Sequence, residues 1–174
     1  MRKILIVALA LIAIPLFLLG MRTVARARRI DADETACRRG SSEACARGAD
    51  ALLANGSEAH DARAAAMLER ACKKSNGDAC SNLGYLVAYG RVGEGGVPEA
   101  VKLYAKGCDL DSLLGCGNLA AVLSEGGPGV DADVPRAVDA FEKACKLGDS
   151  EACDEAKELA KKAVPQPPAP EAAP

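Results

Sequence analysis

The stretch ACKLGDSEAC (144–153) holds two cysteines eight positions apart, with the turn-forming residues Gly-Asp-Ser between them. Three further pairs have the same spacing: Cys37 and Cys45, Cys72 and Cys80, Cys108 and Cys116. Eight residues of one helix rise about 12 Å, whereas a disulfide needs Cα atoms within about 4.4–6.8 Å. A bond within each pair therefore requires the chain to reverse between its cysteines. Eight cysteines allow about 105 connectivities, and the regular spacing favours four sequential disulfides, Cys145–Cys153 included, each joining two helices.

The cysteine pairs repeat along the chain. The first cysteines of successive pairs are 35, 36 and 37 residues apart, a period typical of two-helix repeats. PEAVKLYAKGC (98–108) aligns with PRAVDAFEKAC (135–145), and CSNLGYLVAYG (80–90) aligns with CGNLAAVLSEG (116–126). Their apolar residues follow helical spacing. The sequence therefore predicts an all-α solenoid of about three helix pairs and a capping helix over residues 31–163, clipped by disulfides.

The composition supports helices and argues against nucleic-acid binding. Aromatic residues make up 3% of the chain and Trp is absent, which is unusual for a β-sandwich or barrel. Residues 1–29 contain six basic and no acidic residues, so the remainder carries 16 basic and 24 acidic residues, a net charge of −8. Because phosphate neutralisation dominates nucleic-acid binding, this acidic body is a poor match for such a partner.

The two ends of the chain differ from the repeat region. Residues 1–29 combine a basic start with an uncharged run at 4–21, which predicts a signal peptide or an N-terminal membrane anchor. Arginines after the run favour a cytoplasmic repeat region, whereas eight paired cysteines indicate an oxidising compartment. We give the cysteines more weight and predict an exported chain, either periplasmic, with or without an inner-membrane anchor, or secreted. Residues 164–174 predict a disordered Pro/Ala-rich tail.

The period of about 36 residues, the KAC…GC.NL junctions and the cysteine spacing resemble the Sel-like (SLR) repeats. More narrowly, they are similar to the cysteine-rich secreted proteins of Helicobacter. The resemblance covers residues 31–163 and implies an exported, TPR-like α/α solenoid with each disulfide joining two helices. Some members are described as penicillin-binding and weakly β-lactamase-like. The resemblance therefore implies an alternative function on β-lactams or cell-wall precursors.

Residues suited to catalysis are scarce. None of the eight serines has a lysine three positions later, the spacing of a serine β-lactamase. His60, the one histidine, falls in the first turn of a helix that begins near Ser57. We interpret it as a surface residue, with an isolated ligand or general base as the alternative. GRVGEGG (90–96) lacks the Lys–Ser/Thr ending of a phosphate loop and reads as a flexible inter-helix loop. The sequence therefore indicates no catalytic residue, metal or cofactor, and it disfavours an enzymatic function.

Two asparagines recur two positions after a cysteine, at Asn82 and Asn118. Their amides either tie the backbone of the preceding turn or lie on the inner face of the superhelix, where repeat arrays bind extended ligands. Tyr85 and Tyr89 follow on the same helix and favour core or groove packing, with Tyr89 the better contact candidate. We predict a monomeric scaffold that binds an unidentified protein or peptide through these four residues. A purely structural envelope component is a further possibility.

Overall fold

The described part of the chain consists of eight consecutive helices and contains no strand. The computed structural model describes residues 2–54 and 57–163, so the predicted tail at 164–174 lies outside the described residues. The helices are α1 (Arg2–Arg38), α2 (Ser42–Leu53), α3 (Glu58–Lys73), α4 (Gly77–Ala88), α5 (Gly96–Asp109), α6 (Leu113–Glu125), α7 (Val134–Lys146) and α8 (Ser150–Ala163). Each helix packs mainly against its neighbours in sequence. The prediction of an all-α solenoid clipped by disulfides is confirmed.

The four cysteine turns share one backbone conformation. The third residue after the first cysteine has a positive φ, between 61° and 113°, in every turn: Gly40, Ser75, Asp111 and Gly148. The next residue accepts a hydrogen bond from the backbone N–H three positions on, and these caps are Ser41, Asn76, Ser112 and Asp149. A left-handed residue ends the first helix and a side-chain cap begins the second. The chain therefore reverses within a few residues.

The disulfides are the four sequential pairs, and each joins two consecutive helices. The paired Cα atoms lie 4.4 to 4.8 Å apart. The bonds connect α1 to α2, α3 to α4, α5 to α6, and α7 to α8. In the chain-entropy model each short loop closed in this way contributes about 2–3 kcal/mol to stability. Because a linear repeat array has no long-range contacts, the disulfides stabilise each helix pair locally.

The core is built from small residues and extends along the whole array. One buried cluster covers α1 to α4 and a second covers α4 to α8, and Val92 and Leu103 contact both. Where α4, α5 and α6 meet, a Cβ on Gly115 would lie only 2.6 Å from the backbone nitrogen of Cys108. A Cβ there would also lie 2.7 Å from the hydroxyl oxygen of Ser81 on α4, so this glycine permits the close approach of α6 to both α5 and α4.

The first helix runs without a break through the predicted boundary between leader and repeat region at residues 29–31. Ile30 is buried against the repeats, and the guanidinium of Arg26 donates to the carbonyl oxygen of Ala51 on α2 at 3.0 Å. Further upstream, the large apolar side chains of residues 14–24 are exposed. Among the described residues, no helix offers an apolar stretch long enough to cross a membrane. The C-terminal half of α1 thus packs as part of the first repeat.

Candidate functional site

The helix α4 exposes one stripe of side chains. Asp78, Asn82, Tyr85 and Tyr89 follow each other at steps of three and four residues, so they lie on one side of the helix. The opposite side is buried in the core. Asn118 occupies the position of α6 that matches Asn82, two residues after a disulfide cysteine. We call Asn82, Tyr85, Tyr89 and Asn118 the tyrosine face.

Tyr85 and Tyr89 form an exposed aromatic pair. Their ring centroids are 4.5 Å apart and their planes are tilted by 38°. Tyr85 is 44% exposed and Tyr89 is 69% exposed, so the structure places both rings at the surface rather than in the core. Rings of this size bring a large contact area with few rotatable bonds, which is why tyrosine is frequent at protein-binding hot spots.

The third tyrosine of the chain is buried close to this pair. Tyr104 on α5 packs against α4 at Gly84, where a Cβ would lie 2.8 Å from the ring. Burial, and to a smaller extent the neighbouring Tyr89 and Tyr85, raises the pKa of Tyr104 to about 12. The Tyr104 hydroxyl therefore stays neutral at physiological pH, and its ring supports α4 from within the core.

Asn82 connects two repeats. Its Nδ2 donates to Oδ1 of Asp50 on α2 over 3.5 Å, the long end of hydrogen-bond distances. The Asn82 amide thus contacts a carboxylate of the previous helix pair, and its predicted place on the inner face of the superhelix stays a prediction. Asn118 on α6 is half-buried, as Asn82 is.

Two carboxylates adjoin the tyrosine face. Partial burial, and then the nearby charge of Asp78, raises the pKa of Asp50 above its ordinary value. The carboxylate of Asp78 accepts a hydrogen bond from the Ser112 hydroxyl at 2.6 Å. Neither Asp50 nor Asp78 forms an ion pair within the described part of the chain. The two carboxylates therefore adjoin Asn82, from α2 and from one turn earlier on α4, without a neutralising cation in this part of the chain.

The repeat pattern predicted the asparagines and tyrosines as candidate site residues, but it did not indicate the two carboxylates beside them. Asp78 precedes the second cysteine of its pair by two positions, and Leu114, which is 49% exposed, holds the same position in the next repeat. The position two residues before the second cysteine is thus exposed in both repeats, and the alignment of the repeats could have indicated this. Asp50 carried no comparable signal, because its contact with Asn82 joins residues 32 positions apart.

His60 departs from the sequence interpretation. It lies in the first turn of α3, as expected, but it is half-buried rather than fully exposed. Its Nδ1 is buried and forms no hydrogen bond with the described residues. Arg26, Leu52 and Arg63 line the same cavity of about 270 Å³. The structure therefore places this histidine in a crevice between α1, α2 and α3, away from the exposed stripe of α4.

The glycine-rich loop after α4 is bound to α3 by an ion pair. Nε of Arg91 donates to Oδ2 of Asp61 at 2.8 Å, and its Nη2 contacts the other carboxylate oxygen. Asp61 is 3% exposed. A bidentate pair to a buried carboxylate restrains this part of the chain, so the loop is an inter-helix connection, as expected, with an anchored rather than a flexible start.

The described residues contain no group of three or more His, Cys, Asp or Glu side chains arranged to hold a metal ion. All eight cysteines are in disulfides.

Comparison with solved structures gives the fold a family context. The Helicobacter pylori cysteine-rich protein B superposes with a TM-score of 0.60 and 27% identity, covering 75% of this chain and 94% of that protein. A Sel1 repeat protein from Oxalobacter formigenes superposes with a TM-score of 0.61 over 75% of this chain and 98% of that chain. At 18% identity the second match speaks for the fold alone.

Comparison of sequences gives a partial match. No protein-family model matches the chain. Cytochrome c oxidase assembly factor 7 from Xenopus tropicalis is 37% identical over 91 residues, which are 51% of this chain and 39% of that protein. The chain thus matches about two fifths of the length of this curated relative. Taken with the helix pairs and the disulfides between them, the structural matches show that the chain has the fold of the Sel1-like repeat (SLR) proteins, similar to the cysteine-rich protein B of Helicobacter pylori.

Proposed function

We propose that this chain is an exported scaffold that binds a protein or peptide through the tyrosine face. SLR solenoids generally mediate protein–protein interactions, and repeat arrays do so through extended surfaces built from successive helices. The purpose of the fold is then to hold side chains of neighbouring repeats in one rigid arrangement. No feature of the described residues favours the alternative of β-lactam chemistry.

The observation that carries the proposal is the exposed pair of Tyr85 and Tyr89. Most large apolar side chains of the repeat region are buried, whereas these two rings are 44% and 69% exposed. Leu113 and Leu114 at the start of α6 add exposed apolar surface. Burial of two tyrosine rings by a partner would remove a large apolar area from water while their hydroxyls keep polar contacts. This combination is the typical composition of a binding hot spot.

The surrounding structure holds this surface ready. The Cys72–Cys80 disulfide clips α4 to α3, and Tyr104 packs beneath α4 at Gly84. A surface that is already ordered loses little conformational entropy on binding, so more of the contact energy appears as affinity. The disulfides therefore support binding as well as folding.

We place the scaffold outside the cytoplasm, in a bacterial envelope or the extracellular space. Four disulfides are typical of proteins that fold in an oxidising compartment. Residues 1–29, with their basic start and apolar run, then serve as signal peptide or anchor. Cell fractionation tests this placement: a fully disulfide-bonded chain is expected in the envelope fraction or medium, and a chain with free thiols in the cytoplasm would contradict it.

Site-directed photo-crosslinking in the native cells tests the binding role. A photoreactive phenylalanine derivative at Tyr89 is expected to give adducts of defined mass. The same group at Lys102, an exposed position on α5, serves as the matched control and is expected to give none of those adducts.

The second arm of the test changes the neighbouring ring. The variant Tyr85→Ala is expected to weaken the adducts formed from position 89, because it removes half of the aromatic pair while leaving the helix intact. Identical adducts from positions 89 and 102, or none from position 89, would show that the tyrosine face is not a binding surface.

A further inference from the structure

Two carboxylates, those of Asp50 and Asp78, lie beside the exposed rings of the tyrosine face. Asp50 on α2 contacts Asn82, and Asp78 lies one turn before Asn82 on the same side of α4. The aromatic pair begins three residues after Asn82. One side of α2 and α4 thus presents two carboxylates followed by two exposed rings.

Two other carboxylates that contact a different helix or loop are each paired with an arginine. Asp61 on α3 is paired with Arg91, and Glu34 on α1 accepts from Arg63 on α3 at 2.7 Å. Within the described residues, Asp50 and Asp78 have no such cation. Partial burial, and then the charge of Asp78, raises the pKa of Asp50. The repulsion between them is an unfavourable feature of the free protein. A positive charge supplied from outside would remove it.

The aromatic rings are suited to the same kind of group. A guanidinium or ammonium group is attracted to the face of a tyrosine ring, and exposed rings such as Tyr85 and Tyr89 are open to that approach. All acidic residues of the chain lie beyond position 29, and most of them belong to the repeat region. The chain beyond position 29 has a net charge of −8. Both the local and the overall charge therefore complement a cationic partner.

We propose that the tyrosine face recognises a basic segment of the partner, with one arginine between Asp50 and Asp78 and a second over the rings of Tyr85 and Tyr89. This inference rests on the proposed binding function and adds the chemistry of the partner. Arginine fits better than lysine, because its planar guanidinium pairs with carboxylates in a bidentate manner and stacks on aromatic rings. From Asp78 to Tyr89 the helix rises about 16 Å, which about five extended residues would span.

The test measures binding of a fluorescein-labelled octa-arginine peptide to the full, oxidised chain by fluorescence anisotropy at near-physiological salt. The double variants Asp50→Asn/Asp78→Asn and Tyr85→Ala/Tyr89→Ala are each expected to raise Kd about tenfold, the range given by loss of desolvated cation contacts. Octalysine is expected to bind more weakly than octa-arginine to the unaltered chain.

A matched control separates this site from general attraction to an acidic protein. Glu151→Gln/Glu155→Gln removes the same charge from exposed positions of α8 and is expected to change Kd by no more than about twofold, because distant surface charges are screened. An equal loss of affinity in this control and in the aspartate variant would overturn the inference, since binding would then follow net charge alone.

The two single variants, Asp50→Asn and Asp78→Asn, show whether the double aspartate variant still folds. Asn at position 78 keeps an oxygen that can accept from Ser112, and Asp50→Asn removes the repulsion with Asp78. The melting temperature of free Asp50→Asn at pH 7 is therefore expected to rise or stay level while its affinity falls. A variant that is equally stable and binds octa-arginine as the unaltered chain does would contradict the inference.

The two proposals fail in different ways. Partner adducts from Tyr89 that persist in the aspartate variant would leave protein binding in place and refute the basic segment. Site-specific binding of octa-arginine without any adduct from Tyr89 would support the cation site and refute a protein partner in the cells tested.

Discussion

Four residues in left-handed conformation terminate the helices at the cysteine turns, and they differ in how well they suit that role. Gly40 and Gly148 adopt a positive φ without a side chain, whereas Ser75 and Asp111 adopt φ values of 62° and 61° with one. A side chain in this region costs about 1–2 kcal/mol relative to glycine, because Cβ approaches the following carbonyl oxygen. Two of the four turns therefore hold a local strain that the disulfide and the cap offset.

This strain gives a prediction for single substitutions. Ser75→Gly is expected to raise the free energy of unfolding of the oxidised protein by about 0.5–1 kcal/mol. Gly148→Ala is expected to lower it by about 1 kcal/mol, and no steric clash contributes, because a Cβ at Gly148 would have no atom within 4 Å. Urea denaturation measures both changes. A destabilised Ser75→Gly protein would show that the Ser75 side chain makes a contribution larger than its strain.

Local chemistry made some residues predictable and left others hidden. Gly-Asp-Ser and its counterparts indicate turns from residue type alone, and the structure has a turn at each of them. The burial of His60 and the Asn82–Asp50 contact depend on how one helix pair lies on the next. No residue pattern within a single repeat encodes that relation.

At the scale of elements, α8 is held less firmly than the helices before it. It is the last helix of the described array and packs on α7. The cysteines of the other three disulfides are at most 5% exposed, whereas Cys145 and Cys153 are both half-buried. A thiolate must reach a sulfur atom to open a disulfide, so the bond between α7 and α8 is the most accessible of the four.

Limited reduction tests this ranking. With dithiothreitol below one equivalent per protein, followed by alkylation and peptide mass spectrometry, we expect label first on Cys145 and Cys153. The double variant Cys145→Ser/Cys153→Ser should acquire label only at higher reductant concentrations. Earlier labelling of Cys72 and Cys80 would show that local opening, rather than static exposure, controls reduction.

Most helices of the repeat region were predictable because their periodicity, turns and capping residues agree with one another. For example, proline is frequent in the first turn of a helix, and α5 begins two residues before Pro98. The continuity of α1 could not be inferred. The composition of residues 1–29 suggests a separate targeting element, and the contacts of Arg26 and Ile30 with the repeats appear only in three dimensions.

At the scale of the whole molecule, stability is distributed along a line. The two buried clusters meet at Val92 and Leu103, in the middle of the array. Helices in the middle pack on both sides, whereas α8 packs chiefly on one. In a repeat array each unit gains stability only from its neighbours, so the ends open more easily than the centre.

Native-state hydrogen exchange should reveal this gradient. Amides of α4, α5 and α6 are expected to exchange most slowly, and those of α8 faster by a factor of ten or more, which corresponds to about 1.4 kcal/mol in local opening free energy. The comparison is made on the oxidised chain by fragment mass spectrometry. Equal protection of α8 and α5 would indicate one cooperative unit instead of a graded array.

The period of the cysteines was sufficient to predict the solenoid, because a repeat of about 36 residues leaves few alternatives to stacked helix pairs. The direction of the exposed stripe on α4 was not predictable to the same degree. Tyr85 and Tyr89 fit a core position as well as a surface position in the linear pattern, and only the packing of Gly84 on Tyr104 decides between them.

The unbroken α1 sets a fixed angular relation between the repeats and whatever the chain carries upstream of them. An α-helix turns about 100° and rises about 1.5 Å per residue. Deleting one residue between positions 24 and 29 would therefore swing the upstream half around the solenoid by about 100°. Inserting four residues would bring it back to within about 40° of its original azimuth, about 6 Å further out. The first helix thus sets the orientation of the repeat region relative to the upstream half of α1, and it also joins the two.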